Sequence, residues 1–114
     1  MENKLTNFES ENQHLRDQLA ELDPMRRLAG YLGRDVWAEV LAVLDHGEVK
    51  HPGEEWKKWS ATSHFERGLE HGHASWEGLI SGMPLAREEE SGRYHLAHAI
   101  VRYAMALAKV MRSE

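Results

Sequence analysis

Glu89-Glu90-Ser91-Gly92-Arg93-Tyr94-His95-Leu96-Ala97-His98-Ala99-Ile100-Val101-Arg102-Tyr103 is the stretch whose reading decides the fold. It opens with carboxylates and continues as a strongly helical, mostly apolar run to Met111. Within that run Ser91, His95, His98, Arg102 and Lys109 recur at steps of four, three, four and seven, which places all five on one side of a helix. A helix that is apolar elsewhere and carries one polar stripe either borders water or lines a site, and a solvated face is the simpler expectation.

Working upstream, Gly82, Pro84 and the charged Arg87-Glu88-Glu89-Glu90 make the connection into this helix, with Ser91 or a residue before it as cap. A preceding helix is expected from a Ser60 or Thr62 cap to about residue 80, with Phe65, Leu69, Gly72, Trp76, Leu79 and Ile80 as its core face. Gly68, Gly72 and Gly78 each weaken it by up to about 1 kcal/mol, which is tolerable where they let another helix pack closely. Two polar stripes flank that face: Glu66, Glu70, His73 and Glu77 on one side, and His64, Arg67 and His71 on the other.

Residues 48–59 contain Pro52 and Gly53 and lack a sustained period, so they read as a loop anchored to the core by Trp56 or Trp59. Before it, Asp35 can cap a helix over 36–45 with Trp37, Val40, Leu41 and Leu44 on one face, ended by His46-Gly47. Asp23-Pro24 marks a break and the start of a short helix over 25–32.

Residues 1–22 carry Leu5, Phe8, Asn12, Leu15, Leu19 and Leu22 at alternating steps of three and four, the a/d pattern of a coiled coil with Asn12 at an a position. That register pairs Lys4 with Glu9 and Glu11 with Arg16 between parallel strands, both with opposite signs, and an a-position Asn favours a parallel dimer. The simpler alternative is an amphipathic helix folded onto its own domain. The expected fold is all-α: an N-terminal parallel coiled-coil helix, 1–22, followed by a small oligomeric helical bundle, 24–114.

With 114 residues and a net charge of −5, the chain suits a single modest core. The absence of cysteine excludes disulfides and thiolate chemistry. Mild acidity without a basic tract argues against a duplex nucleic-acid binder. No apolar run is long enough for a membrane span, and the N-terminus is too polar for a signal peptide, so a cytoplasmic protein is expected. The eight histidines are an excess that calls for a site, since imidazole titrates near neutrality and contacts both metals and phosphates.

Two helices with Glu/His stripes can build a site between them. The candidates are Glu66, Glu70 and His71 or His73 on one, and Glu90, His95, His98 and Arg102 on the other. Carboxylates could hold Mg²⁺ or Mn²⁺, which prefer oxygen ligands and leave positions for substrate phosphates. Alternatively, His95, His98, Arg102 and Lys50 could contact phosphate oxygens directly, with no cofactor. Zinc ranks low without a His-Glu-x-x-His pattern, and a nucleophilic triad lower still, because no serine sits at a strand-to-helix elbow.

From Leu41 to Leu107 the order of features resembles a phage-associated family named after the N-terminal region of dATP/dGTP diphosphohydrolases, related in outline to MazG-like all-α NTP pyrophosphatases. The residues that carry it are Gly47-Glu48-Val49-Lys50-His51, Trp56, Glu70-His71 followed by Trp76, and above all Glu89-Glu90-Ser91-Gly92 followed by His95-Leu96-Ala97-His98-Ala99. The resemblance implies a helical homo-oligomer with sites near subunit interfaces and a phosphorylated or cyclic nucleotide as ligand. The residues expected to contact phosphate are Lys50, His51, His71, His95, His98 and Arg102, and, for an enzyme, those expected to hold the metal are Glu66, Glu70 and Glu90. MazG-like enzymes hold Mg²⁺ with Glu-x-x-Glu and then Glu-x-x-Asp, whereas here histidines follow Glu90. Imidazole in place of an oxygen anion weakens a hard-cation site, so the expectation moves from hydrolysis of a dNTP towards sequestration of a nucleotide signal. A coiled-coil assembly module is the remaining alternative.

Overall fold

The computed structural model describes the backbone of residues 4–21, 23–83 and 86–112, with the side chains of residues 10–18 in the first helix. Across the described residues the fold is all-α: α1 (Lys4–Glu21), α2 (Pro24–Leu32), α3 (Arg34–Lys50), α4 (Ala61–Ile80) and α5 (His95–Met111), with a 3-10 turn at Glu55–Lys58. The only β pairing among them is an isolated bridge between Arg87 and Tyr94. Two compact units divide the chain, residues 1–36 and 37–114.

In the first unit α1 is helical where the heptads lie, but the side chains of Leu5, Phe8, Leu19 and Leu22, and of Lys4 and Glu9, fall outside the described residues, as Pro84 does further on. Asn12 is half-buried and Leu15 exposed. α2 starts as its sequence requires. The Asp23 carboxylate accepts the Met25 N–H at 2.7 Å and Pro24 occupies the first turn, where its missing donor costs nothing.

In the second unit α3 does not stop at His46-Gly47. It continues through Gly47 to Lys50, because one interior glycine costs only about 1 kcal/mol, and it ends before Pro52 and Gly53, whose φ is +74°. This lengthening brings Glu48 and Lys50 onto a helix rather than a loop. Of the expected α3 face, Leu41 and Leu44 are exposed, and the core is instead Val43 with Ala97 and Val101 of α5, flanked by Val40, Tyr94 and Met105.

Ser60 caps α4, its Oγ accepting the Ser63 N–H at 3.1 Å. The face that α4 buries is not the apolar one. His64, Gly68, Ser75 and Gly78 are buried, while Phe65, Leu69, Trp76, Leu79 and Ile80 are at least half exposed. Close approach explains the choice. A Cβ on Gly68 would lie 2.7 Å from the Tyr103 ring, and one on Gly78 would lie 2.6 Å from the Met83 carbonyl oxygen, so these neighbours fit only against glycine. Gly68 beside Tyr103, and His71 beside His98 and His95, run α4 and α5 in opposite directions.

α5 begins at His95, and Ser91 sits in the loop before it rather than at its cap. Its polar stripe is not a solvated face. His95, His98 and Arg102 are half-buried and Lys109 is buried, while Leu96, Leu107, Val110 and Met111 stand exposed. Turning the stripe inward is what assembles a site.

Candidate functional site

The loop ahead of α5 folds upon itself around Glu88. The Glu88 N–H donates to the Arg93 carbonyl and the Gly92 N–H to the Glu88 carbonyl, both at 2.8 Å, with Gly92 at φ +70° closing the turn. The Glu88 carboxylate accepts the backbone N–H groups of Ser91 at 2.6 Å and Glu90 at 3.0 Å. Burial pushes this carboxyl up, but hydrogen bonds from the Ser91 hydroxyl and from the two N–H groups, with His98 nearby, outweigh it and hold Glu88 at about 2. Since a carboxylate only accepts, the Ser91 hydroxyl donates to Glu88, and its oxygen takes the Arg93 N–H at 3.1 Å and faces His98 Nε2 at 2.7 Å.

α5 and α4 contribute three imidazoles, of which His71 touches both of the others. His71 stacks on His98 with ring centroids 4.6 Å apart, and His71 Nδ1 meets His95 Nδ1 at 2.9 Å. One of those two nitrogens donates and the other must offer a lone pair, so the pair cannot be doubly protonated on both rings. Burial, then the proximity of His98, His95 and Arg102, lowers His71 to about 4 despite Glu88. His98 is lowered as well, chiefly by burial.

A second constellation adjoins the first. His64 is fully buried, its ring beside those of Trp56 and Trp59. Arg102 Nη1 donates to His64 Nδ1 at 3.1 Å, which requires a lone pair there and leaves Nε2–H to donate to the Trp56 carbonyl at 2.7 Å. Burial lowers the His64 pKa, and Arg102 and Lys109 add to it, consistent with that neutral tautomer. The Arg102 guanidinium lies over Trp59, 4.9 Å from the ring centroid, and the Arg67 guanidinium lies 5.7 Å away. Lys109 Nζ donates to the Lys57 carbonyl, so α5 holds the tryptophan segment at its far end too.

These groups border a cleft of about 470 Å³. His71, His98 and Arg102 line it, as do Lys50 and His51 from the end of α3 and beyond. His95 reaches it through His71. Lys50 Nζ sits 2.9 Å from both Glu90 carboxylate oxygens, and His51 pairs with Glu55 at 2.9 Å. Glu70 and Glu90 also line the cleft, but Glu66 does not; it borders an adjoining, more open depression that shares Trp59, Arg67 and Glu70 with the cleft. Glu70 thus lies beside Glu66 in one depression and beside Glu90 in the other, and neither depression is lined by all three. No cluster of three His, Asp or Glu side chains suited to a metal exists among the described residues, and Glu90 is already paired with Lys50, so the set does not fit a Mg²⁺ centre as it stands.

No protein-family model, curated protein or solved structure matches the chain. The site must be read from its own geometry.

That geometry includes residues that the sequence reading did not place in the site. Asp45 and Glu48, one turn apart on α3, line the cleft, as do Trp59 and Glu88. The Asp45-x-x-Glu48 spacing was a usable signal, hidden by ending the helix at Gly47.

The histidine cluster makes stability depend on pH. Unfolded, His71 takes up a proton near its ordinary 6.5; folded, it resists until about 4. Between those values the unfolded chain binds the extra proton, so stability is full above pH 6.5 and falls as the pH is lowered towards 4. His64 and His98 act in the same direction. Glu88 extends the loss below pH 4.5, where its ordinary carboxyl would begin to protonate while the folded one stays ionised until about 2. Urea midpoints measured from pH 8 to 4 are expected to fall below 6.5, with a shallower fall in His71→Gln. Parallel curves for the two proteins would show that His71 does not carry the effect.

Proposed function

We propose that the cleft binds the phosphates of a nucleotide and holds it without cleaving it. The observation that carries this reading is Arg102, which lines the cleft, is braced by His64 and Trp59, and commits one of its five N–H donors to His64. Arg67 and Lys50 supply further positive charge to the same cleft, and the indole faces of Trp56 and Trp59 offer stacking surface for a base. A volume of about 470 Å³ suits a mononucleotide or part of a cyclic dinucleotide. In the phage setting to which the resemblance points, the ligand would be a phosphorylated or cyclic nucleotide of host immunity, sequestered in the host cytoplasm. The heptads of α1 would then join two chains as a parallel coil, and no nucleic-acid duplex or membrane partner is required. Among the described residues, no helix is long and apolar enough to cross a membrane.

A second reading, a metal-dependent dNTP diphosphohydrolase releasing pyrophosphate, would draw on the carboxylates of Asp45, Glu48, Glu70 and Glu90, which line the same cleft without forming a metal-binding cluster among the described residues. The test is incubation with dNTPs and with cyclic dinucleotides, with and without Mg²⁺ or Mn²⁺, followed by heat denaturation and mass analysis of the supernatant. The expected result is stoichiometric recovery of one unmodified nucleotide. Monophosphate formation that disappears in Glu70→Gln would establish hydrolysis instead. Absence of binding across the panel would sink both readings and leave the coil as an assembly module.

A further inference from the structure

α2 is the most amphipathic of the five helices, yet none of its nine residues is buried. Met25, Leu28, Tyr31 and Leu32 are all exposed. The proposed nucleotide site is built from residues 43–105, and α2 precedes both it and the 41–107 stretch that carries the family resemblance. We infer that α2 is a docking helix for an anionic lipid surface, lying along the headgroups with its apolar side turned into the bilayer.

At about 100° per residue, Met25, Leu28, Ala29 and Leu32 share one arc of the helix. Tyr31 borders that arc, where a ring with a polar tip suits the boundary between headgroups and acyl chains. Arg26 and Arg27 come next on its two sides, so each can lay its stem along the boundary and keep its guanidinium among the phosphates. Arg34 follows just past the end of α2, and residues 24–34 hold these three arginines and no carboxylate. The nearest acids stand beyond the two ends. Asp23 is committed to the Met25 N–H, and Asp35 lies in the first turn of α3. Salt screens more distant charge beyond about 8 Å, so the negative balance of the whole chain does not cancel this local positive charge.

Charge and area together choose the occupant. At their fractional exposures Met25, Leu28, Tyr31 and Leu32 present on the order of 500 Å², short of the ~800 Å² that each partner brings to a standard protein interface. A bilayer accepts whatever area inserts. A nucleic acid would pair with the arginines and leave the apolar arc in water. An anionic bilayer satisfies both sides of α2 at once: the apolar side chains enter the boundary by about 5–10 Å, and the guanidinium groups meet lipid phosphates. So short a helix binds weakly and reversibly, in the range of a single acyl chain, which holds the protein near a membrane without fixing it there.

The test sediments the full chain with vesicles of phosphatidylcholine alone and of phosphatidylcholine with one third phosphatidylglycerol. At about 1 mM lipid the larger part of the protein is expected in the anionic pellet and almost none in the neutral one. Arg26→Gln with Arg27→Gln, and separately Leu28→Gln with Leu32→Gln, are each expected to weaken binding at least about tenfold. Helical circular dichroism should not change, because these side chains support no core. No sedimentation, equal sedimentation with both vesicles, or full binding in either double variant would overturn the proposal. Single-site labelling of the cysteine-free chain adds a second readout. Leu32→Cys lies in the apolar arc, and Gly30→Cys lies on the opposite side, where an added Cβ meets nothing within 4 Å. With an environment-sensitive dye at each, anionic vesicles are expected to shift the emission of the first to the blue and leave the second unchanged. Equal shifts at the two positions would overturn the inference. So would no response to either vesicle, the result expected if α2 serves a protein groove instead.

Discussion

His64→Ala is expected to destabilise the protein by about 3 kcal/mol, the largest loss of any single substitution outside the helix backbones. Three contributions add there. The imidazole is fully buried beside two indoles, so its removal leaves a cavity. The Trp56 carbonyl loses the Nε2–H that satisfies it, and Arg102 loses its acceptor, leaving a half-buried guanidinium donor unpaired. A domain of this size has about 5–15 kcal/mol in total, so the variant should unfold at a much lower urea concentration, with the slope of the transition preserved. His64→Gln, which can renew one of the two hydrogen bonds, should recover part of the loss. A midpoint for His64→Ala close to the parent's would show that the tryptophan segment is held by other contacts.

The second large effect concerns binding. Arg102→Met is expected to weaken the affinity for the recovered nucleotide about 100-fold, or close to 3 kcal/mol, by removing the charge-assisted donors while keeping an apolar stem against Trp59. Lys50→Met should cost far less, about fivefold, because the lysine is exposed and shared with Glu90. Calorimetric titration of both variants, with helicity checked in parallel, separates the two. Equal losses would move the phosphate towards the end of α3, and an unchanged affinity for Arg102→Met would remove the cleft from the argument.

Much of the architecture was legible because it rests on local chemistry. Asp23-Pro24 and Ser60 start helices in the way that their side chains dictate, and the spacing of His95, His98 and Arg102 put them on one side of α5. What periodicity does not contain is the identity of the neighbour. The repeat of Phe65, Leu69 and Trp76 is the same whether that stripe meets its own domain or another surface, and it is the Tyr103 ring, lying where a Cβ on Gly68 would be, together with the burial of His64 and Ser75, that shows α5 packing along the glycine side. For the same reason the polar stripe of α5 looked wet. Its burial depends on His71 and His64 arriving from a helix more than 20 residues away, with hydrogen bonds at 2.9 and 3.1 Å that local pattern does not encode. Gly47 misled in the opposite direction, since a residue that often ends helices was carried through by the turns on either side.

The contact between Gly68 and Tyr103 also limits how this protein can diverge. The ring sits where a methyl group at position 68 would be, so position 68 cannot gain a side chain while Tyr103 stays as it is. An alanine at 68 requires a smaller or reoriented residue at 103, and that in turn withdraws the ring from Phe65. Positions 35 residues apart therefore constrain each other, and a larger side chain at 68 would disturb the same helix contact that brings His71 to His95.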